Sequence, residues 1–302
     1  MPLERQYGRP FRLKAVRRLL QLLCVLCWAA VCHGQAAVSG QEQLSPTQAT
    51  AMVGRALATE LRTAHDPSHP MRYLLRRSSP RLTTTKDIVE TRDGNVARLL
   101  SVNDTPLGPV DEQKEQARLD ALAANPSLQR HRKQGEDSDL GIVLKLLRML
   151  PNAFLYQYAG TVQGPSGSAE KFTFKPNPHF SPPDYETQAL TAMSGEIWID
   201  PAQERVLRLE GHLQQDTDYG WGILGKLNKG GWLVIEQADV GGKQWRITHV
   251  QMDMTLRILF KTKIFNTVEQ LTRYSAVPAG MDYRQAIQML RGGAGGTAQS
   301  GR

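Results

Sequence analysis

The chain has 302 residues with 37 basic and 29 acidic side chains, a net charge of +8, but six of the basic residues and Glu4 lie in the first 18 positions. Residues 35–302 keep 31 basic and 28 acidic side chains, a net of +3, too little to suggest a nucleic-acid footprint. All three cysteines (Cys24, Cys27, Cys32) precede residue 35, so the rest of the chain can hold no disulfide, thiolate metal site or cysteine nucleophile.

The cations Arg5, Arg9, Arg12, Lys14, Arg17 and Arg18 lead into an apolar run, Leu19–Cys32, and then into small and polar residues. A basic stretch, a short apolar core and small residues at a cleavage point make a secretory signal, expected here over residues 1–34. The apolar run of 14 residues is short of the roughly 20 that a spanning helix needs. Cleavage after Gly34 or Ala36, lipidation at Cys32 and retention as an anchor stay open as fates of this leader; Arg17-Arg18 is only a faint twin-arginine signal.

Residues 35–45 read as a flexible lead-in. Ser45-Pro46 opens a helix, with Ala49, Met52, Val53, Ala56, Leu57 and Leu61 at helical spacing as far as Arg62. Strands are expected over 71–77, 82–92 and 95–103, the last two joined by a two-residue Asp93-Gly94 turn. Residues 110–124 read as a charged helix whose Asp111, Lys114, Glu115 and Arg118 form a solvated face. A polar stretch over 126–139 is expected to be irregular, and a compact helix, Leu140–Leu150, ends at Pro151.

From Ala153 onward the pattern alternates every second residue, as in an antiparallel sheet with one wet face. The expected strands are 153–162, 171–175, 195–200, 205–213, 232–240 and 243–265. The clearest alternation is Val250, Met252, Met254, Leu256, Ile258 and Phe260. A short helix, Asp282–Leu290, precedes a Gly-rich tail over 291–302 that is expected to be disordered. Eight or nine strands in sequence with helices at the front, middle and end predict an α+β fold, mainly antiparallel β. Its form is an unclosed half-barrel, a curled meander sheet with helices covering the concave face, in one domain over 46–290. A closed lipocalin-like barrel is the competing arrangement.

Catalytic signatures are sparse. Gly220–Leu227 approaches the phosphate-binding loop G-x-x-x-x-G-K-[ST], but Leu227 stands where the hydroxyl must be. His65 and His69 have metal-ligand spacing only in a helix, and Pro67 lies between them, so no metal and no cofactor is expected. His131, His212 and His249 read as linker or surface histidines. The carboxylates Glu186, Glu196, Asp200 and Glu210 could form an acid–base pair only if the fold gathers them. Four prolines in Pro176–Pro183 make a stiff loop that can act as a fixed lip, with His179 and Phe180 facing a ligand, or as a rigid crossover.

The segments Pro176–Pro183, Met193–Asp200, Arg208–Leu213 and Gly225–Gly231 resemble an uncharacterised family of exported proteins from soil bacteria, marked by PNPxFxPP and MxGxxWID. The likeness covers most of residues 70–265 and brings no activity with it. More distantly, the order of strands and helices is similar to the periplasmic lipoprotein carriers LolA and LolB. Those are unclosed half-barrels whose apolar concave face receives acyl chains; the charged insertion over 110–139 departs from their pattern, and none of their functional residues maps here.

The resemblance implies a place in the periplasm or at the outer-membrane periphery of a Gram-negative bacterium. With the alternation, it suggests a non-enzymatic envelope protein that carries lipid or lipoprotein acyl chains in an apolar cavity. The candidate lining is Tyr156, Phe172, Ile197, Leu209, Met252 and Met254, each of which is equally compatible with ordinary core. The rival readings are an envelope interaction module without a cavity and a carbohydrate-active enzyme.

Overall fold

The computed structural model describes residues 44–64, 67–164, 167–219, 225–258 and 261–292. The expected leader, most of the lead-in, the Gly-rich tail beyond residue 292, His65, Gly220–Leu224 and Phe260 lie outside them, while Arg291 and Gly292, expected in the tail, end the last helix.

The first helix, α1 (Pro46–Thr63), starts as its sequence dictates. Ser45 Oγ accepts from the Gln48 amide at 3.3 Å, the Gln48 side chain accepts from the Ser45 amide at 2.8 Å, and Pro46 occupies the first turn. Ala49, Val53, Ala56 and Leu57 form its buried stripe.

Then come β1 (Met71–Ser78), β2 (Thr83–Val89), β3 (Val96–Val102), β4 (Thr105–Pro106), α2 (Pro109–Ala124) and α3 (Pro126–Ala153). Strands β5 (Phe154–Gly164) and β6 (Gly167–Pro176) precede the short helix α4 (Tyr185–Gln188) and a 3-10 turn over Ala189–Ala192. The chain continues through β7 (Met193–Asp200), β8 (Arg205–Leu213), β9 (Thr217–Tyr219), β10 (Gly225–Leu227), β11 (Trp232–Asp239), β12 (Trp245–Ile258), β13 (Lys261–Ala276) and α5 (Tyr283–Gly292).

All thirteen strands among the described residues join one sheet in the order β4-β3-β2-β1-β13-β12-β11-β8-β7-β6-β5, and β9 and β10 attach beside β12. Every pairing is antiparallel, and the two ends of the order do not meet. This is the expected half-barrel, left open.

Directly paired residues share a face, so register carries one face across the sheet. Phe172 opposes Ile197, Ile197 opposes Leu209, Leu209 opposes Ile235, and Ile235 opposes Val250. This inner face is buried at the β5–β8 side by α1 and the C-terminal part of α3, in a core of Val53, Leu57, Leu150, Phe154, Tyr156, Phe172, Ile197 and Ile199. A second core joins Val89 and Val96 to Leu119 and Leu122 of α2 and to Ile287 and Leu290 of α5. By register those two valines belong to the other face, so α2 and α5 add a layer behind the β2–β3 end.

Four local expectations are corrected. The stretch 126–139 is not irregular: α3 is one helix of 28 residues, about 42 Å long. Side-chain ties to the β2–β3 connection hold its polar half: Gln129 Nε2 donates to Asp93 O at 2.9 Å, and Glu136 Oε2 accepts from Asn95 N at 2.9 Å. Pro151 falls in the last turn, and the helix runs three residues past the expected Leu150, to Ala153. The β2–β3 connection is longer than two residues: Gly94 N donates to Thr91 O, with Arg92 and Asp93 at the corner and Gly94 at φ +94. Glu115, expected on a wet face, is buried. It accepts from Leu99 N at 2.8 Å, while Arg118 donates to Ala97 O at 2.5 Å. Beyond the two-residue β4, these side chains cap the otherwise unpaired edge of β3.

The single strand expected over 243–265 is two antiparallel strands, since Ile258 of β12 pairs with Lys261 of β13, and beyond Phe265 β13 has no counterpart among the expected strands. Its Asn266–Ala276 half is mostly polar, and only pairing with β1 and β12 makes it a strand. Among the described residues no helix is long and apolar enough to cross a membrane.

Candidate functional site

The six candidate lining residues share the inner face. Tyr156 opposes Phe174, Phe174 opposes Gly195, Gly195 opposes Gly211, Gly211 opposes Leu233, and Leu233 opposes Met252. They differ in cover. Phe172 and Ile197 are fully buried under α1. Tyr156 is buried too; its hydroxyl donates to Leu150 O at 2.9 Å, and burial pushes its pKa up. Leu209 is half-buried at the margin of that core.

Met254 packs with Leu213, Leu227 and Leu256 in a small cluster, and Met252 is half-buried between Leu233 and Thr267. The covered core thus continues into an incompletely covered strip: Leu209, Leu233, Ile235, Val250, Met252 and Met254, all half-buried. Sequence alternation finds the strip but not its cover, because the apolar stripe of α1 packs on the β5–β8 side and its Glu60 reaches β11 by a hydrogen bond from Gln237.

Helix α3 is anchored at both ends, at Asp93–Asn95 and in the core around Leu150, and its middle leaves Ile142 and Val143 exposed. The Arg77–Glu269 ion pair, on the inner face by register, bounds the strip at β1.

The proline-rich loop is tied down. Asn177 N donates to Ala153 O at 2.8 Å, its side chain donates to Asn152 O at 2.9 Å, and Phe180 N donates to Asn177 O. Phe180 packs against the main core, whereas His179 is exposed. Just beyond, Lys145 of α3 binds Asp184 at 2.9 Å and holds its carboxyl down to about 2, and it also reaches Glu186. The loop lies at the sheet end where β12 turns back into β13, since β6 ends and β7 begins there.

The outer face of β6, β7, β8 and β11 carries charge. Glu196 binds Lys171 at 2.5 Å and accepts from Trp198 Nε1 at 2.8 Å. Lys171 and Arg208 both lie over the Trp198 ring, at 5.9 and 5.5 Å. Arg208 bridges Glu210 and Glu236, and His212 Nε2 meets Glu210 at 2.8 Å; the hydrogen bond from Arg208 holds the Glu210 carboxyl below its ordinary range. Of the four candidate acid–base carboxylates, Glu196 and Glu210 oppose each other across the β7–β8 ladder, ion-paired to Lys171 and Arg208 respectively, whereas Glu186 sits on α4 and Asp200 accepts from Ala202 N and Gln203 N in the β7–β8 turn. Among the described residues no three His, Cys, Asp or Glu side chains gather as a metal site.

Two polar clefts, unmarked by any motif, lie at the β12–β13 end. One of about 400 Å³ is lined by Asp216, Lys226, Asn228, Lys229 and Arg257. The other, about 690 Å³, is lined by Tyr185, Gln188, Thr191, Gln215, Asp216, Thr217 and Asp218. The only sequence signal near them was the failed phosphate loop, whose Lys226 pairs with Asp216 at 2.7 Å.

No family model and no curated protein matches the chain. Among solved structures it is similar to a domain described as an outer membrane lipoprotein-sorting protein, from Vibrio parahaemolyticus, with 8% sequence identity and a TM-score of 0.32 over 82% of this chain and 100% of that one.

Proposed function

We propose that this chain is an exported, non-enzymatic binding protein of the cell envelope, a single domain over 46–290 that holds acyl chains of lipid or lipoprotein along its inner face. One observation carries the reading: the apolar inner face runs out from under α1 into the half-buried strip around Val250 and Met252. Water in contact with that strip is unfavourable by roughly 25 cal/mol per Å² of apolar surface, which is the driving force available to an acyl chain lying there. The two methionines give an adaptable lining. The basic leader and apolar run support export.

A fluorescent fatty-acid probe tests this. The wild type is expected to bind it saturably, and Met252→Glu to weaken binding by about tenfold or more, because the new carboxylate must be desolvated against the chain. At this half-buried position the substitution is also expected to lower the unfolding midpoint, so binding is compared well below that midpoint. Absence of saturable binding, or undiminished binding by Met252→Glu, would overturn the reading. The outer-face array around Trp198 would then stand as the surface of an interaction module.

A further inference from the structure

Where β12 turns back into β13, cations gather on both faces of the sheet. Register sets Lys226 opposite Arg257 on the outer face, and Lys263 opposite Leu256 on the inner face. Lys261 forms the last rung with Ile258, and Lys229 follows β10 in the adjoining turn. Arg257, Lys261 and Lys263 are exposed and make no ion pair among the described residues. The acids at this end are Asp216, Asp218, Asp253, Asp184 and Glu186; Lys226 pairs with Asp216, Lys145 pairs with Asp184 and Glu186, and Asn266 donates to Asp253, so the unpaired Arg257, Lys261 and Lys263 make the β12–β13 tip itself positive.

Apolar surface accompanies the charge. Ile264 is 67% exposed, and the Lys263 ammonium rests 4.7 Å from the centre of the Phe265 ring. Strand edges that only resist aggregation need charge but not an exposed isoleucine among the lysines.

The distribution over two faces decides the partner. A small anion seated in the Asp216–Arg257 cleft would meet Lys226, Lys229 and Arg257, but not Lys263 on the other side of a sheet one layer thick. A flat anionic surface met end-on meets all five cations and can take up Ile264 between its headgroups. We propose that this end of the sheet docks on the surface of an anionic lipid bilayer. The inference goes beyond the inner-face reading and does not depend on it: a protein with a filled inner face would dock in the same way.

The test is co-sedimentation of the protein, purified from an exporting bacterial host, with phosphatidylcholine vesicles with and without phosphatidylglycerol. Binding is expected only to the phosphatidylglycerol vesicles and should weaken as salt rises. R257Q/K261Q/K263Q is expected to lower the partition coefficient by about fivefold per cation removed. The control R92Q/R130Q/K243Q removes the same charge away from this end and is expected to stay within about twofold of the wild type. Both triple variants should keep the wild-type far-ultraviolet circular dichroism. Equal binding to neutral vesicles, or equal loss in the two variants, overturns the proposal. So does release by inorganic phosphate beyond that by chloride of matched ionic strength, which would identify a phosphate pocket. The arms on the wild type decide the matter even if the triple variant misfolds, and none of them uses the fatty-acid probe.

Discussion

Arg205→Met is expected to destabilise the fold by about 3 kcal/mol at pH 8, and by much less at pH 5. Arg205 and Glu60 form the ion pair that pins α1 to β8, at 3.0 Å, and their side chains are only 8% and 13% exposed. Glu60 also accepts from Val206 N at 2.9 Å and from Gln237 Nε2 at 2.6 Å, while Arg205 donates to Thr63 Oγ1 at 2.7 Å and lies over the Trp245 ring. Burial is the largest influence on both partners. It raises the Glu60 pKa above 4.5 despite the arginine, and it lowers that of Arg205.

Methionine keeps the packing against Trp245 but leaves the Glu60 charge alone in a dry site, which pushes its pKa higher still. A carboxyl whose pKa is higher folded than unfolded contributes its full stability below the unfolded value. That contribution is lost as pH rises through the folded value. The deficit of the variant should therefore grow from pH 5 to pH 8, as Glu60 is forced to ionise. Urea unfolding at the two pH values checks the trend. Arg205→Met combined with Glu60→Gln should recover most of the loss, since the pair is then replaced rather than broken. A deficit independent of pH, or no recovery in the double variant, would show that Arg205 acts through packing alone.

Gly195→Ala is expected to cost about 3 kcal/mol, against about 1 kcal/mol for Gly211→Ala, its partner across the β7–β8 ladder. A β-carbon on Gly195 would overlap the carbonyl oxygen of Glu210 and fall within 2.8 Å of its carbonyl carbon. Those are backbone atoms of the next strand, and they cannot retreat without opening the ladder between Gly195 and Ile197. On Gly211 the new carbon meets the sulfur of Met193 at 2.6 Å, the far part of a flexible side chain that can swing away. The measurement is the midpoint of thermal or urea unfolding for both variants. Equal losses at the two glycines would contradict the close approach described here.

The sequence alone was enough for the sheet, because alternation such as Val250–Ile258 is a local pattern that only an extended strand with one dry face satisfies. The start of α1 was equally local, resting on Ser45, Pro46 and Gln48. Tertiary structure decided what local patterns do not encode. The polar half of α3 is helical and bound to the β2–β3 connection through Gln129 and Glu136, and the polar half of β13 is a strand held between β1 and β12. Periodicity also put Tyr156, Phe172 and Met252 on one apolar face without distinguishing the first two, sealed under α1, from the third, left half-open. Cover depends on where a distant helix lands, and the same alternation is written whether that face meets a helix or a ligand. The gathering of Lys226, Arg257 and Lys263 at one end of the sheet arises the same way: Lys226 lies about thirty residues before the other two, and only the register of β10, β12 and β13 brings them together.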